Sequence, residues 1–207
     1  MWGGLAVVIF VIAGAFVSSK LRSEKPVVSA PPVFGQVADF SLTNQNAEVV
    51  SLAALRGHVW VADIIFTRCA GPCPRMTGQM KELQIALPTT SAAKLVTLTT
   101  DPEFDTPPIL KKYGEHYAAD LSRWNFFTGT KKEIAALAID SLKLTAVEKK
   151  PEQRADDADL FIHSTIFVVV DKQARLRGVF QTGGEDVDWN KAKADILALV
   201  AQLELEP

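Results

Sequence analysis

Val59-Trp-Val-Ala-Asp-Ile-Ile-Phe66, running directly into Thr67-Arg-Cys69-Ala-Gly-Pro-Cys73-Pro-Arg-Met76, is the stretch that decides the fold. Its first half is apolar almost throughout, the pattern of a strand covered on both faces. Its second half is a turn that holds both cysteines of the chain. From about Pro74 to Ala86 a helix is expected, because Met76, Met80, Leu83 and Leu87 recur at spacings of three and four. A buried strand that feeds a helix through a short turn is the working unit of an α/β fold.

On the N-terminal side, Asp39–Thr43 alternates like a short strand, and Asn44-Gln-Asn46 reads as a turn before Val49–Leu52. Residues 51–57 suit a short helical turn stopped by Gly57. On the C-terminal side, strands are expected at 94–100 and 124–128. The turn Asp101–Pro108 leads into a helix through Tyr113, and another helix is expected from Thr130 to Leu142. Residues 145–162 are polar and acidic, with Asp156, Asp157 and Asp159. Thr165–Asp171 and Leu176–Gln181 suit an antiparallel hairpin around Lys172-Gln-Ala174, and an amphipathic helix closes the chain from Trp189 to Leu203. Strands alternating with helices and ending in hairpin and helix indicate an α/β sandwich of thioredoxin type around a central mixed sheet.

Residues Trp2–Val17 are apolar and uncharged, and with Ser18 and Ser19 the run reaches the length needed to cross a bilayer. No polar residue recurs at helical spacing within it, so it does not read as a core helix. It lacks the basic n-region of a cleaved signal peptide, and a transmembrane anchor at 1–19 is the expectation. Lys20, Arg22 and Lys25 follow, which by local charge alone would hold that flank in the cytoplasm. Residues 20–35 are rich in proline and serine and read as a linker, so the folded domain is expected over 36–207.

The 207 residues carry 22 Lys+Arg against 24 Asp+Glu, without the basic excess that a nucleic-acid binder needs. Two cysteines cannot make a disulfide framework, and a bridge over four positions closes a loop too small to stabilise much. The thiols are therefore read as chemistry. A thiol at a helix start meets free N–H groups and the positive end of the helix dipole, which favour thiolate, and Arg68 and Arg75 stand nearby in sequence. Thiolate is both nucleophile and metal ligand, so position alone leaves redox work and metal binding open. Disulfide oxidoreductases carry two residues between their cysteines, and this turn carries three. The wider turn lets two sulfurs converge on one ion from the same side. Soft thiolates select Cu(I), and an added imidazole extends the set to Cu(II).

His163, at the end of the acidic stretch and just before an apolar strand, is the candidate third ligand. Thioredoxins place a cis-proline at that point to hold substrate, and no proline stands between Glu152 and Glu206 here. His58 reads as solvated, His116 as the polar face of a helix, and Met76 and Met80 as core. Asp101 and Asp105 read as turn formers, with a role at a partner surface as the alternative. The acidic stretch reads as a solvated loop that can also orient the His163 ring.

Over roughly 36–203 the chain resembles the Sco/SenC family. The resemblance rests on Phe66-Thr-Arg-Cys69…Cys73-Pro, on His163-Ser164, on Thr100-Asp101-Pro-Glu-Phe-Asp105-Thr-Pro-Pro and on Trp124-Asn-Phe-Phe-Thr-Gly129. Ala70-Gly71 depart from the family, which often carries proline and an acidic residue there. What the resemblance implies is a copper-binding chaperone that delivers Cu(I) or Cu(II) to the binuclear centre of cytochrome c oxidase, with Cys69, Cys73 and His163 as copper ligands. The implied partner is the copper-receiving oxidase subunit or another cuproprotein. The implied location is a single-pass bacterial inner-membrane protein with its soluble domain in the periplasm. Such a role is not catalysis in the usual sense. A membrane-anchored thiol-disulfide oxidoreductase, with Cys69 attacking and Cys73 resolving, is the alternative, and a zinc site with an open fourth position is a third.

Overall fold

The strand that opens the signature is β4, Trp60–Ile65, and every one of its residues is buried. It pairs in parallel with β5 (Lys94–Thr99), and β5 pairs in parallel with β6 (Trp124–Thr128). On its other side β4 runs antiparallel to β9 (Ile166–Val170), which forms the expected hairpin with β10 (Arg175–Gln181). Two short pairs, β1 (Gly35–Gln36) against β10 and β2 (Ser41–Asn44) with β3 (Val49–Ser51) against β6, complete an eight-stranded mixed sheet ordered β1-β10-β9-β4-β5-β6-β2-β3. The computed structural model describes residues 30–144, 146–153 and 161–207, and Pro31–Pro207 form one compact unit. The apolar run at 1–19, linker residues 20–29 and Asp156, Asp157 and Asp159 lie outside the described residues. Among those described, no helix is long and apolar enough to cross a membrane.

Both faces of the sheet are covered, which is why β4 reads as continuously apolar. Val61 and Ile65 join a core beneath α1 (Cys73–Ala86), α2 (Pro107–His116) and α4 (Trp189–Leu205). Trp60, Ala62 and Ile64 join the opposite core beneath α3 (Lys131–Ala135), which continues as a π-turn over Ala136–Ser141. The helix starts follow local chemistry. Thr130 and Glu133 form a capping box at α3, and the Asp188 carboxylate accepts from the Asn190 and Lys191 amides at α4. Gly57 adopts φ +81, the left-handed conformation that ends its turn.

Residues 31–35 fall in the stretch that reads as linker, yet they lie along the hairpin. Arg177 donates to the Pro31 and Pro32 carbonyls and, at 2.7 Å each, to the carboxylates of Asp171 and Glu206. Two further strands arise where the sequence shows only a polar stretch. These are β7 (Ala146–Glu148) and β8 (Phe161–His163), a separate ribbon in which Ala146 is paired with His163.

Candidate metal centre

Strand direction gathers the site. Because β4 and β5 are parallel, the turns that follow them, 66–72 and 100–106, emerge at the same pole of the sheet. Because β9 is antiparallel to β4, its approach, His163 to Thr165, arrives at that pole as well. Thr182, just past β10, donates from its amide and hydroxyl to the Thr165 carbonyl and fixes this approach. The Gln79 side chain on α1 donates to the Thr182 carbonyl at 2.8 Å, tying the thiol-bearing helix to the same loops.

Cys73 opens α1 as a fully buried residue, whereas Cys69 on the turn is 9% exposed. The two are free thiols joined by a sulfur hydrogen bond. The Gly71 amide donates to Cys69 Sγ at 3.3 Å. The helix start does not leave Cys73 as a ready thiolate. Its hydrogen bond to Cys69 and its burial push its thiol pKa upward, against the lowering effect of a Phe66 backbone bond. The sequence expectation counted the helix terminus and missed the bond to Cys69 and the desolvation, both of which raise the pKa. The arginines are also placed differently from that expectation. Arg68 is bound by Asp101, with Nε and Nη2 at 2.8 and 2.7 Å from Oδ2, and its guanidinium lies 4.5 Å from the Phe104 ring centroid. Arg75 lies across Gly183, where a β-carbon would stand 2.0 Å from Nη2.

Three groups support the thiols from below: Asp63 and Thr77, which the sequence reading did not single out, and Asp105, which it read as a turn former. Asp63 is buried within β4, with Oδ1 accepting from Thr97 Oγ1 at 2.7 Å, and Thr97 in turn accepting from the Trp124 indole. Its Oδ2 has no hydrogen-bond partner among the described residues. Burial raises its pKa to about 7 despite the Thr97 bond. Thr77 donates to the Cys73 carbonyl and pairs with the Tyr113 hydroxyl at 2.8 Å, bracing the first turn of α1. Asp105, fully buried, accepts from the Thr67 amide at 3.1 Å and from the hydroxyls of Thr67 and Thr99. The one sequence sign of Asp63 is a charged residue inside an otherwise apolar strand. Asp105 gives no such sign, because Thr67 lies 38 positions away.

The other assignments resolve simply. Met76 and Met80 are fully buried in the core under the sheet. His116 is exposed and packs edge-on against Tyr117, and His58 is half-buried with Nδ1 3.0 Å from the Ala92 carbonyl. The backbone of His163 ends β8 at the thiol pole, and its side chain lies outside what the structure describes. Among the described residues no three His, Cys, Asp or Glu side chains form a metal cage.

A mixed sheet covered on both faces, with a dithiol at the start of the helix that follows its central strand, defines a thioredoxin-like dithiol protein. More narrowly, residues 32–199 match the family model SCO1/SenC, and the chain belongs to that family. A SCO1 protein homolog of Bacillus subtilis is 36% identical over 162 residues, covering 75% of this chain and 81% of the relative. The solved structure of BsSco, described as showing a disulfide switch in a member of the Sco family of cytochrome c oxidase assembly proteins, superposes with a TM-score of 0.66. It is 33% identical and covers 83% of this chain and 96% of its own. Bradyrhizobium japonicum ScoI, solved with copper bound, shares the fold at a TM-score of 0.64 and 23% identity, covering 80% of this chain and 99% of its own.

Proposed function

We infer that the chain carries one copper ion on Cys69, Cys73 and His163 and passes it to a cuproprotein, with the copper-receiving subunit of cytochrome c oxidase as the acceptor. The observation that carries this reading is the placement of two adjacent sulfurs, Cys73 fully buried and Cys69 nearly so, at the pole where the His163 segment also arrives. The donor set suits copper: two soft sulfurs together with the His163 imidazole serve both Cu(I) and Cu(II). Family membership and the copper-bound relative support the same conclusion. Copper is cargo here, so the site must release it as well as bind it. Cys69, the more exposed sulfur, is the ligand that an incoming thiolate reaches first. Cys73 enters the metal site by giving up a proton that its surroundings hold tightly, so uptake releases protons and weakens as pH falls.

The membrane reading belongs with this function. The apolar residues 1–19 would hold the protein in the bacterial inner membrane with the domain in the periplasm, within reach of a membrane-bound oxidase. Thiol-disulfide exchange remains the second reading, because the two thiols are neighbours at the start of the helix. One experiment separates the two. The copper-loaded chain is mixed anaerobically with a copper-free, reduced acceptor domain, and the metal-free reduced chain with the same acceptor oxidised. Copper transfer in the first mixture, faster than reduction in the second, supports the carrier reading. Fast disulfide reduction without copper transfer replaces it with the oxidoreductase.

A further inference from the structure

The segment Asp101-Pro-Glu-Phe-Asp105 is not accounted for by ligation, and turn formation does not explain its contacts. Both carboxylates point back into the fold. Asp105 is fully buried and takes three hydrogen bonds, two from Thr67 and one from Thr99 at the end of β5. Asp101 is 4% exposed and takes both guanidinium bonds from Arg68. Thr67 and Arg68 are the two residues immediately before Cys69. The turn carrying Cys69 is therefore fastened to the neighbouring turn at two consecutive positions, while Cys73 is fixed independently by burial in the core and by α1.

We propose that Asp101 and Asp105 are positioning residues that anchor the Cys69 turn beside Cys73, biasing the pair toward the dithiol and against the disulfide. Closing a disulfide brings two sulfurs from hydrogen-bond distance to about 2.05 Å, with a narrow range of torsion. Cys73 is fully buried at the start of a helix, so the Cys69 turn makes the approach, and that displacement pulls Thr67 and Arg68 against their carboxylates. A disulfide formed under such constraint is easier to reduce. The balanced reaction is exchange with an external disulfide such as oxidised glutathione. Two thiols of the chain yield two protons and two electrons, one Cys69–Cys73 bond forms, one glutathione S–S bond breaks, and two glutathione thiols are released. For a metal carrier the bias keeps both sulfurs available, since a disulfide supplies no thiolate. This inference rests on the thiol pair being the functional centre, and its test needs no copper.

The test is the equilibrium between dithiol and disulfide in the full chain, read by thiol alkylation across a series of glutathione buffers without metal. Thr67→Val removes the hydroxyl bond to Asp105 at nearly constant shape, and Thr67→Ser restores it. Arg68→Ala opens the Asp101 clasp from its solvent-exposed side, where folding is least at risk. In Thr67→Val and in Arg68→Ala the equilibrium is expected to move about tenfold toward the disulfide, a potential more negative by about 30 mV. Thr67→Ser is expected to stay within about twofold of the parent. A residue that only supports the fold lowers the melting temperature of both redox forms alike and leaves the potential in place. Unchanged potentials in both Thr67→Val and Arg68→Ala, or a move toward the dithiol, overturn the proposal. A separate copper titration of the parent chain reports on the carrier reading, so either conclusion can fail without the other.

Discussion

Asp63→Asn converts the buried carboxyl beneath the site into a neutral amide of the same shape, and its effect can be worked out from the structure. Asp63 is fully buried, and its pKa stands at about 7 against the ordinary 3.8. The folded state therefore holds this proton more tightly than the unfolded state. The sign follows: stability contributed by the protonated group is complete below about pH 4, declines as pH rises, and is lost above about pH 7. At about 1.4 kcal/mol per pH unit, the gap sets an upper bound of about 4 kcal/mol on the cost of keeping Asp63 ionised and buried at pH 8. Asparagine keeps an acceptor for Thr97 and carries no charge, so it escapes that cost. Its amide group occupies the place of the unpartnered Oδ2, much as the carboxylic acid hydroxyl does at low pH. Urea unfolding of parent and variant, with thiols reduced, measures this directly at pH 4, 6 and 8. The two should be of similar stability at pH 4, and the variant should lead by up to about 4 kcal/mol at pH 8. Parallel stability profiles, or a variant weaker at pH 8, would refute the reasoning that Asp63 is an uncompensated buried acid.

Arg177→Met should cost about 3 kcal/mol or more in urea unfolding, since it leaves Asp171 as a buried charge with one fewer partner. Limited proteolysis should then cut near Pro31 and Pro32, whose carbonyls lose their donor. Burial pushes the Asp171 pKa up, but bonds from the Arg175 backbone and from the Arg177 and Arg175 side chains outweigh it and hold the pKa low. The stability of that cluster is therefore present above the ordinary carboxylate range and lost as pH falls below it, the reverse of Asp63. Met80→Ala should cost about 2–5 kcal/mol by leaving a cavity under the sheet, with copper stoichiometry unchanged, and a lost copper site would return Met80 to the ligand candidates.

How far the sequence could be read depended on how far apart the interacting residues lie. The buried strand at 60–65 and the helix beginning at Cys73 were legible because hydrophobic period is a local signal, and both cores in fact draw on alternate residues of β4. The β9–β10 hairpin was legible for the same reason. The ribbon β7–β8 was not, since three-residue strands in a polar stretch give no periodicity. The β1 strand was hidden because a two-residue pair in a proline-rich stretch looks like linker, and only its pairing with Leu176 and Arg175 defines it. At the site, both cysteines were evident from spacing alone. Asp101 and Asp105 were seen but assigned to turn formation, because Arg68 and Thr67 lie more than thirty positions earlier in the chain. The raised pKa of Cys73 was also out of reach, since the bond to Cys69 and the burial that cause it are properties of the packed fold.

The central claim is tested most directly by anaerobic titration of Cu(I) and Cu(II) into the reduced full chain, beside Cys69→Ser and His163→Ala. The account predicts one copper per chain, a thiolate-to-Cu(II) charge-transfer band, and loss of that band in both variants. A band unchanged by His163→Ala would contradict the three-ligand site, and absence of stoichiometric copper uptake in the parent chain would contradict the carrier function itself.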